Sequence, residues 1–188
     1  MKRFYKKAVA VLIAAALGVG MLTGCEALDT TLPKEETQTQ TKKKGTVSNP
    51  QKALEKIYDA FGDRAGVVEP TEEQLETVVG LNPADVKQAY VRYVETDFGA
   101  DDVYIILPES GEDENGVSHR ENVLSALRER KDSRTREFAN YDVYNSTSIA
   151  ENAIIFERGG YAVMLMTEDN DLARKIVERY IPEKLNLS

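Results

Sequence analysis

Ala153-Ile-Ile-Phe-Glu-Arg-Gly-Gly-Tyr-Ala-Val-Met-Leu-Met-Thr167 contains two runs rich in strand-forming residues, one on each side of Gly159-Gly160. A two-residue hairpin turn needs positive φ at its centre, and glycine supplies that without a Cβ penalty. The stretch therefore predicts a β-hairpin. After it, Leu172, Ala173, Ile176, Val177 and Tyr180 recur at helical spacing, so a helix is expected from near Asn170 until Pro182 stops it.

Reading upstream, Ser118-His-Arg-Glu121 has the capping-box pattern and should open a long helix through about Phe138. Val123, Leu124 and Leu127 form its apolar side. Its distal half, Arg128-Glu-Arg-Lys-Asp-Ser-Arg-Thr-Arg-Glu137, is almost wholly charged and is expected to face solvent. Asp102-Val-Tyr-Ile-Ile-Leu107 reads as a strand, closed by Pro108 and a polar loop through Gly116. Val86–Glu95 fits two templates. Val86, Ala89, Tyr90, Tyr93 and Val94 have helical spacing, yet Tyr90-Val-Arg-Tyr-Val94 is dense in β-formers. One helical turn followed by a strand is the reading adopted.

Asn49-Pro50 is an N-cap followed by proline at the first helical position. Ala53, Leu54, Ile57, Tyr58 and Phe61 carry that helix to Gly62. Thr71-Glu-Glu-Gln74 is a second capping box, with Gly80 as its stop, and Asn82-Pro83 opens at least one further turn. The element order is then α-α-β-β-α-β-β-α, with two ββα units in the second half. The fold class is α+β: a small antiparallel sheet of about four strands, covered by helices on one side.

The N-terminal region has a different character. Met1-Lys-Arg-Phe-Tyr-Lys-Lys7 precedes an apolar run from Ala8 to Leu22, the layout of an export signal. That run is about 15 residues, whereas a spanning helix needs about 20. It ends in Leu22-Thr23-Gly24-Cys25, which resembles the lipobox of bacterial lipoproteins. The resemblance implies cleavage between Gly24 and Cys25 and a lipid on the Cys25 sulfur. The only cysteine of the chain thereby gains a role suited to a nucleophilic thiolate.

Residues 26–49 are rich in Thr, Gln, Lys and Glu and carry no apolar period, so they read as a flexible tether. Fully extended it would reach about 80 Å. The domain plan is a signal peptide at 1–24, lipidated cysteine and tether at 25–49, one α+β domain at 50–182 and a tail at 183–188. The expected location is the outer face of the cell membrane, anchored by lipid.

Charge narrows the choice of partners. The chain carries 24 basic and 32 acidic residues, a net charge of −8. The first 24 residues hold four bases and no acid, so the exported part is more acidic than the whole. Such a domain is repelled by nucleic acid and by anionic lipid. Neither is expected as a direct partner of the folded domain.

The pattern Gly80-Leu-Asn-Pro-Ala-Asp-Val86, then Ala100-Asp-Asp-Val-Tyr-Ile-Ile106, a charged helix, and Arg158-Gly-Gly-Tyr-Ala-Val-Met-Leu-Met166 before a terminal helix is similar to a family of Gram-positive lipoproteins. That family is known only as a domain of unknown function (domain of unknown function 4358). The resemblance covers roughly residues 50–181 and includes the lipobox. It implies a location and a fold, and brings no catalytic residue. Glu109–Gly116 and Tyr141–Asn152 depart from the pattern in length or polarity.

Candidate chemistry is sparse. His119 is the single histidine, and its neighbour Ser118 is already explained as a helix cap. Acidic clusters lie at Asp97, Asp101 and Asp102, at Glu109, Glu112, Asp113 and Glu114, and at Glu168, Asp169 and Asp171. None has the spacing of a calcium loop, so no metal and no cofactor is expected. Tyr90, Tyr93, Tyr104 and Tyr161 are expected to line one sheet face. The residues point to a binding domain for an envelope partner, not an enzyme. A small envelope hydrolase and a ligand-capture lipoprotein are the alternatives.

Overall fold

The computed structural model describes residues 47–62 and 64–183. The export signal, Gly24, Cys25, the tether up to residue 46 and the tail from residue 184 lie outside the described residues.

A five-stranded antiparallel sheet in the order β1-β2-β3-β5-β4 organises the domain. Its strands are β1 (Val67–Val68), β2 (Val86–Val94), β3 (Asp102–Pro108), β4 (Ile154–Arg158) and β5 (Tyr161–Met166). The helices are α1 (Pro50–Phe61), α2 (Glu72–Gln74), α3 (His119–Phe138), α4 (Ser146–Glu151) and α5 (Asn170–Tyr180). The α+β class holds, and the sheet has one strand more than expected. That strand, β1, is only two residues long, too short to carry a visible period.

The starting hairpin forms as read. β4 and β5 pair from Ile154↔Leu165 to Arg158↔Tyr161, and Gly159 and Gly160 have φ of +57° and +84°. A Cβ on Gly159 would lie 2.5 Å from the Pro182 carbonyl oxygen, so the turn is also pressed against the chain leaving α5. Replacing both glycines with valine should therefore cost about 1–3 kcal/mol at each position from backbone strain. Thermal unfolding measures it, and an unchanged melting temperature would refute the fit.

Caps define the helix starts. Asn49 accepts the Lys52 N–H, Thr71 and Gln74 complete a reciprocal capping box, Ser118 accepts the Glu121 N–H, and Asp169 accepts the Leu172 N–H. Each satisfies an otherwise orphaned amide of a first turn. α2 continues directly into a π-helical turn, Leu75–Val79, closed by Gly80 at φ +78°.

Helices cover both faces of the sheet, not one. Val103, Ile105, Val163 and Leu165 pack under α1 and α5. Tyr104, Ile106, Met164 and Met166 pack under α3 and α4. β3 and β5 are almost wholly buried as a result. Strand alternation explains the tyrosines as well. Tyr90 and Tyr161 meet on the α1 face with ring centroids 6.4 Å apart, while Tyr93 and Tyr104 point to the α3 face. The expected single tyrosine face is thus divided between two cores.

Two further readings are corrected. Val86–Val94 is strand throughout, with a bulge between Val86 and Gln88 in place of the expected helical turn. The distal half of α3 is not simply solvated, because Arg130 and Arg134 are buried within it. α4 lies in the polar segment Tyr141–Asn152, and two consecutive positive-φ residues, Tyr144 and Asn145, lead into it.

Candidate functional site

One stretch of sheet edge is left unpaired. β1 pairs with β2 only at Val67↔Val94 and Val68↔Tyr93. Pro70 follows one residue later, and proline has no N–H to extend a ladder. The Glu95 N–H donates to the Gly66 carbonyl on the β1 side. Because antiparallel pairing alternates along a strand, odd-numbered residues of this stretch turn their backbone toward β1, and even-numbered ones toward β3. Ala89 and Val91 therefore aim N–H and C=O outward. Among the described residues, no strand pairs with them on that outer side.

Concave space lies along that edge. On the α3 side, a groove of about 550 Å³ runs between β2 and the α2 segment, floored by Leu75, Leu81, Pro83, Val86 and Ala89. A smaller pocket of about 150 Å³ spans the edge itself, lined by Gln51, Leu54 and Tyr90 of the α1 face together with Glu69, Pro70, Leu75, Ala89 and Val91. Leu75 and Pro70 border both. A strand added to an edge sends alternate side chains to opposite faces, and the groove and the pocket together leave concave space along this edge for such an occupant.

The rim is acidic. Glu72, Glu73 and Glu76 are exposed on α2 and its π-helical continuation. Glu69 engages Arg92 at 2.5 Å. Lys87 is the one cation in the groove lining.

A buried ion network lies between α3 and the sheet. Asp102 is fully buried at the start of β3. Arg134 Nη2 donates to its Oδ1 at 3.2 Å, with Arg134 Nε 3.1 Å from Oδ2. The same guanidinium donates to the carbonyls of Val94 and Gly99, both at 2.9 Å. Arg130 Nε donates to the Tyr104 hydroxyl at 3.1 Å, and its Nη1 donates to the Val78 carbonyl at 3.2 Å. That last bond ties α3 to the π-helical turn. Burial, reinforced by the Asp102 charge, pushes the Tyr104 phenol far above its ordinary range, so it stays a neutral hydroxyl. Sequence reading missed this network, since its acid and bases lie far apart along the chain.

His119 does have a partner. Its Nδ1 lies 2.6 Å from Oδ1 of buried Asp85, which also accepts from Asn122 Nδ2 at 3.0 Å. Asn122 reaches Asp113 as well, and Asp113 Oδ1 accepts the Asn115 and Val117 amides. The Asn122 hydrogen bond, followed by those amides, holds the Asp113 carboxyl below its usual value. The cluster therefore staples the Glu109–Gly116 loop to the start of α3. Ser118 caps the helix and is not brought to His119 as a nucleophile would be.

The remaining acids go separate ways. Asp101 is buried beside Arg64, with Arg64 Nε 3.2 Å from Oδ2, and Glu168 pairs with Arg64 Nη2 at 2.6 Å. Asp169 is a helix cap. Among the described residues, no group of three or more His, Cys, Asp or Glu could hold a metal ion. Likewise, no described helix is long and apolar enough to cross a membrane.

Searches of curated proteins and of solved structures each find no match to this chain. A family model described as a domain of unknown function does match, over residues 60–167. The span runs from the end of α1 to the end of β5 and takes in the free edge, the groove, the ion network and the His119 cluster. With more than half of its length matched, this chain belongs to the family described as Domain of unknown function (DUF4358).

Proposed function

We propose that the protein is a lipid-anchored envelope protein whose exported domain works by binding an extended polypeptide along the free edge of β2. The observation that carries this reading is the outward backbone of Ala89 and Val91, which no strand pairs on that side, bordered by a groove and by a pocket that spans the edge. Main-chain pairing gives affinity in such complexes, and pockets for alternate side chains give selectivity. Anchoring through lipid on Cys25 rests on the lipobox and the export signal. It would concentrate the domain at the membrane, so a weak contact with an equally anchored partner would suffice.

The rival reading is a small envelope hydrolase, and the 2.6 Å contact between His119 and Asp85 favours it, because an acid that orients a histidine is half of a base-activated nucleophile.

Three variants separate the readings in a complemented deletion strain. Ala89→Pro removes an outward N–H and leaves the β2–β3 ladder, made by even-numbered residues. It should fold, stay on the membrane and fail to complement. Cys25→Ser should leave the membrane fraction and lose labelled palmitate. His119→Ala should complement. Full complementation by Ala89→Pro would refute the edge reading, and loss of activity in a folded, anchored His119→Ala would establish the hydrolase.

A further inference from the structure

Taking the β2 edge as the docking site proposed above, we infer that its occupant is a short basic strand. It carries apolar side chains at every second position, with lysine or arginine at both ends of the apolar stretch.

Main-chain pairing supplies only part of the recognition here. β1 already holds the lane beside β2 at Tyr93 and Val94. At the other end, a bulge between Val86 and Gln88 breaks the regular course of β2. Ala89 and Val91 are left to pair, and backbone groups do not tell one strand from another. Selection therefore falls to side chains.

The apolar requirement comes from the groove. Ala89 and Val91 have their side chains in the core on the α3 face, and the groove on that face is floored by Leu75, Leu81, Pro83, Val86 and Ala89. A strand laid along β2 turns every second side chain toward this floor, where apolar residues leave water. The intervening side chains turn toward the α1 face. There the Tyr90 hydroxyl is bonded to Gln88 at 3.3 Å, so polar residues find partners.

The basic requirement comes from the rim. Glu72 lines the groove, and Glu73 and Glu76 are exposed on the same helical segment. At the far end, the Glu109 N–H donates to the Asp85 carbonyl, which brings exposed Glu109 beside the turn Pro83–Asp85. Among the described residues, none of these four carboxylates is in an ion pair. Lys87 is the one cation in the lining, so acid outweighs base along the rim. Lysine and arginine can lay their aliphatic stems on an apolar floor and carry their charge out to such a rim. Opposite charge selects the partner and speeds encounter, and salt weakens both effects. The same carboxylates repel a second copy of this chain, whose net charge is −8. With Pro70 and the bulge, they keep an open edge from pairing with its like.

Fluorescence anisotropy with labelled peptides and the full-length protein in neutral detergent tests this. The probes are acetyl-Lys-Thr-Val-Thr-Val-Thr-Lys-amide, the same peptide with glutamate for both lysines, and the same peptide with serine for both valines. The lysine peptide should bind about tenfold or more tighter than the glutamate peptide at about 50 mM salt, and the gap should close at about 500 mM. Glu72→Gln, Glu73→Gln and Glu76→Gln together should narrow the gap at low salt and leave the unfolding midpoint unchanged. The serine peptide should lose binding, and Ala89→Pro should lose it for every probe. Equal binding of the lysine and glutamate peptides, lost in Ala89→Pro, would overturn the basic preference and leave the edge reading in place. Undiminished binding of the serine peptide would overturn the apolar requirement. Absence of binding by all three peptides would also overturn the proposal, and failure of Ala89→Pro to complement would then still support the edge. Binding of the lysine peptide that persists in an Ala89→Pro protein able to complement would bring down the edge reading with it.

Discussion

Replacing Arg134 with methionine should lower the unfolding free energy by about 3–5 kcal/mol, the usual cost of leaving a buried charge without its partner. Asp102 is fully buried and the Arg134 side chain is 1% exposed, so water cannot reach either. Without the guanidinium, Asp102 keeps the Val94 amide at 3.1 Å, the Tyr104 hydroxyl at 3.3 Å and Arg130 only at 3.8 Å. The carbonyls of Val94 and Gly99 also lose their shared donor. Methionine preserves most of the apolar volume over the Phe138 ring, where the guanidinium carbon sits 4.6 Å from the centroid. The loss is therefore electrostatic and not a cavity effect. Urea unfolding of the single variant, compared with Arg134→Met combined with Asp102→Asn, is the measurement. Removing the stranded charge should recover part of the loss. Exposed Arg128 and Arg136 should each stay within about 0.5 kcal/mol on replacement by alanine. A cost below about 1 kcal/mol for Arg134→Met would mean that Asp102 finds solvent or a proton in the native state.

The same arginine shows where sequence reading stops. Helix starts and the central hairpin are local events, written in residues a few positions apart, such as Thr71 with Gln74 or Gly159 with Gly160. They were legible for that reason. Arg134 and Asp102 are 32 positions apart, and nothing local distinguishes Arg134 from the exposed Arg136 two residues on. Burial of β2 was obscured differently. Val86, Ala89, Tyr90, Tyr93 and Val94 imitate a helical face because the strand packs against helices on both sides, so apolar residues occupy both parities. β1 was invisible because two residues show no period, although Pro70 after Val67-Val68-Glu69 marks where pairing must stop. The free edge follows from that truncation, which is why the candidate site could be recognised only once the register was known.

Asp101→Asn should stabilise the domain at pH 8 by up to about 4 kcal/mol and leave its stability at pH 4 nearly unchanged. Burial raises the Asp101 carboxyl from an ordinary 3.8 to about 7; Arg64 opposes the rise, and the charges of Asp102 and Glu168 add to it. Neither carboxyl oxygen has a hydrogen-bond partner among the described residues, because the Arg64 Nε contact at 3.2 Å is poorly aligned for one. The Tyr58 hydroxyl of α1 donates to the Asp101 backbone carbonyl at 2.7 Å and not to its carboxyl. Between pH 4 and 7 the folded chain keeps a proton at Asp101 that the unfolded chain has released. The unfolded state then binds fewer protons, so stability falls as pH rises through this window. The contribution is whole below about pH 3.8 and lost above about pH 7. Every tenfold gain in proton affinity on folding is worth about 1.36 kcal/mol, which sets the ceiling of about 4 kcal/mol for the full window. Asparagine cannot ionise and keeps an oxygen toward Arg64, so its stability should lack this slope. Other carboxylates titrate over the same range, but they do so in both proteins and cancel in the difference. Urea unfolding at pH 4, 6 and 8 gives that difference directly. A variant that differs from the parent by a constant amount at all three values would show that Asp101 is already ionised at pH 4, held so by Arg64.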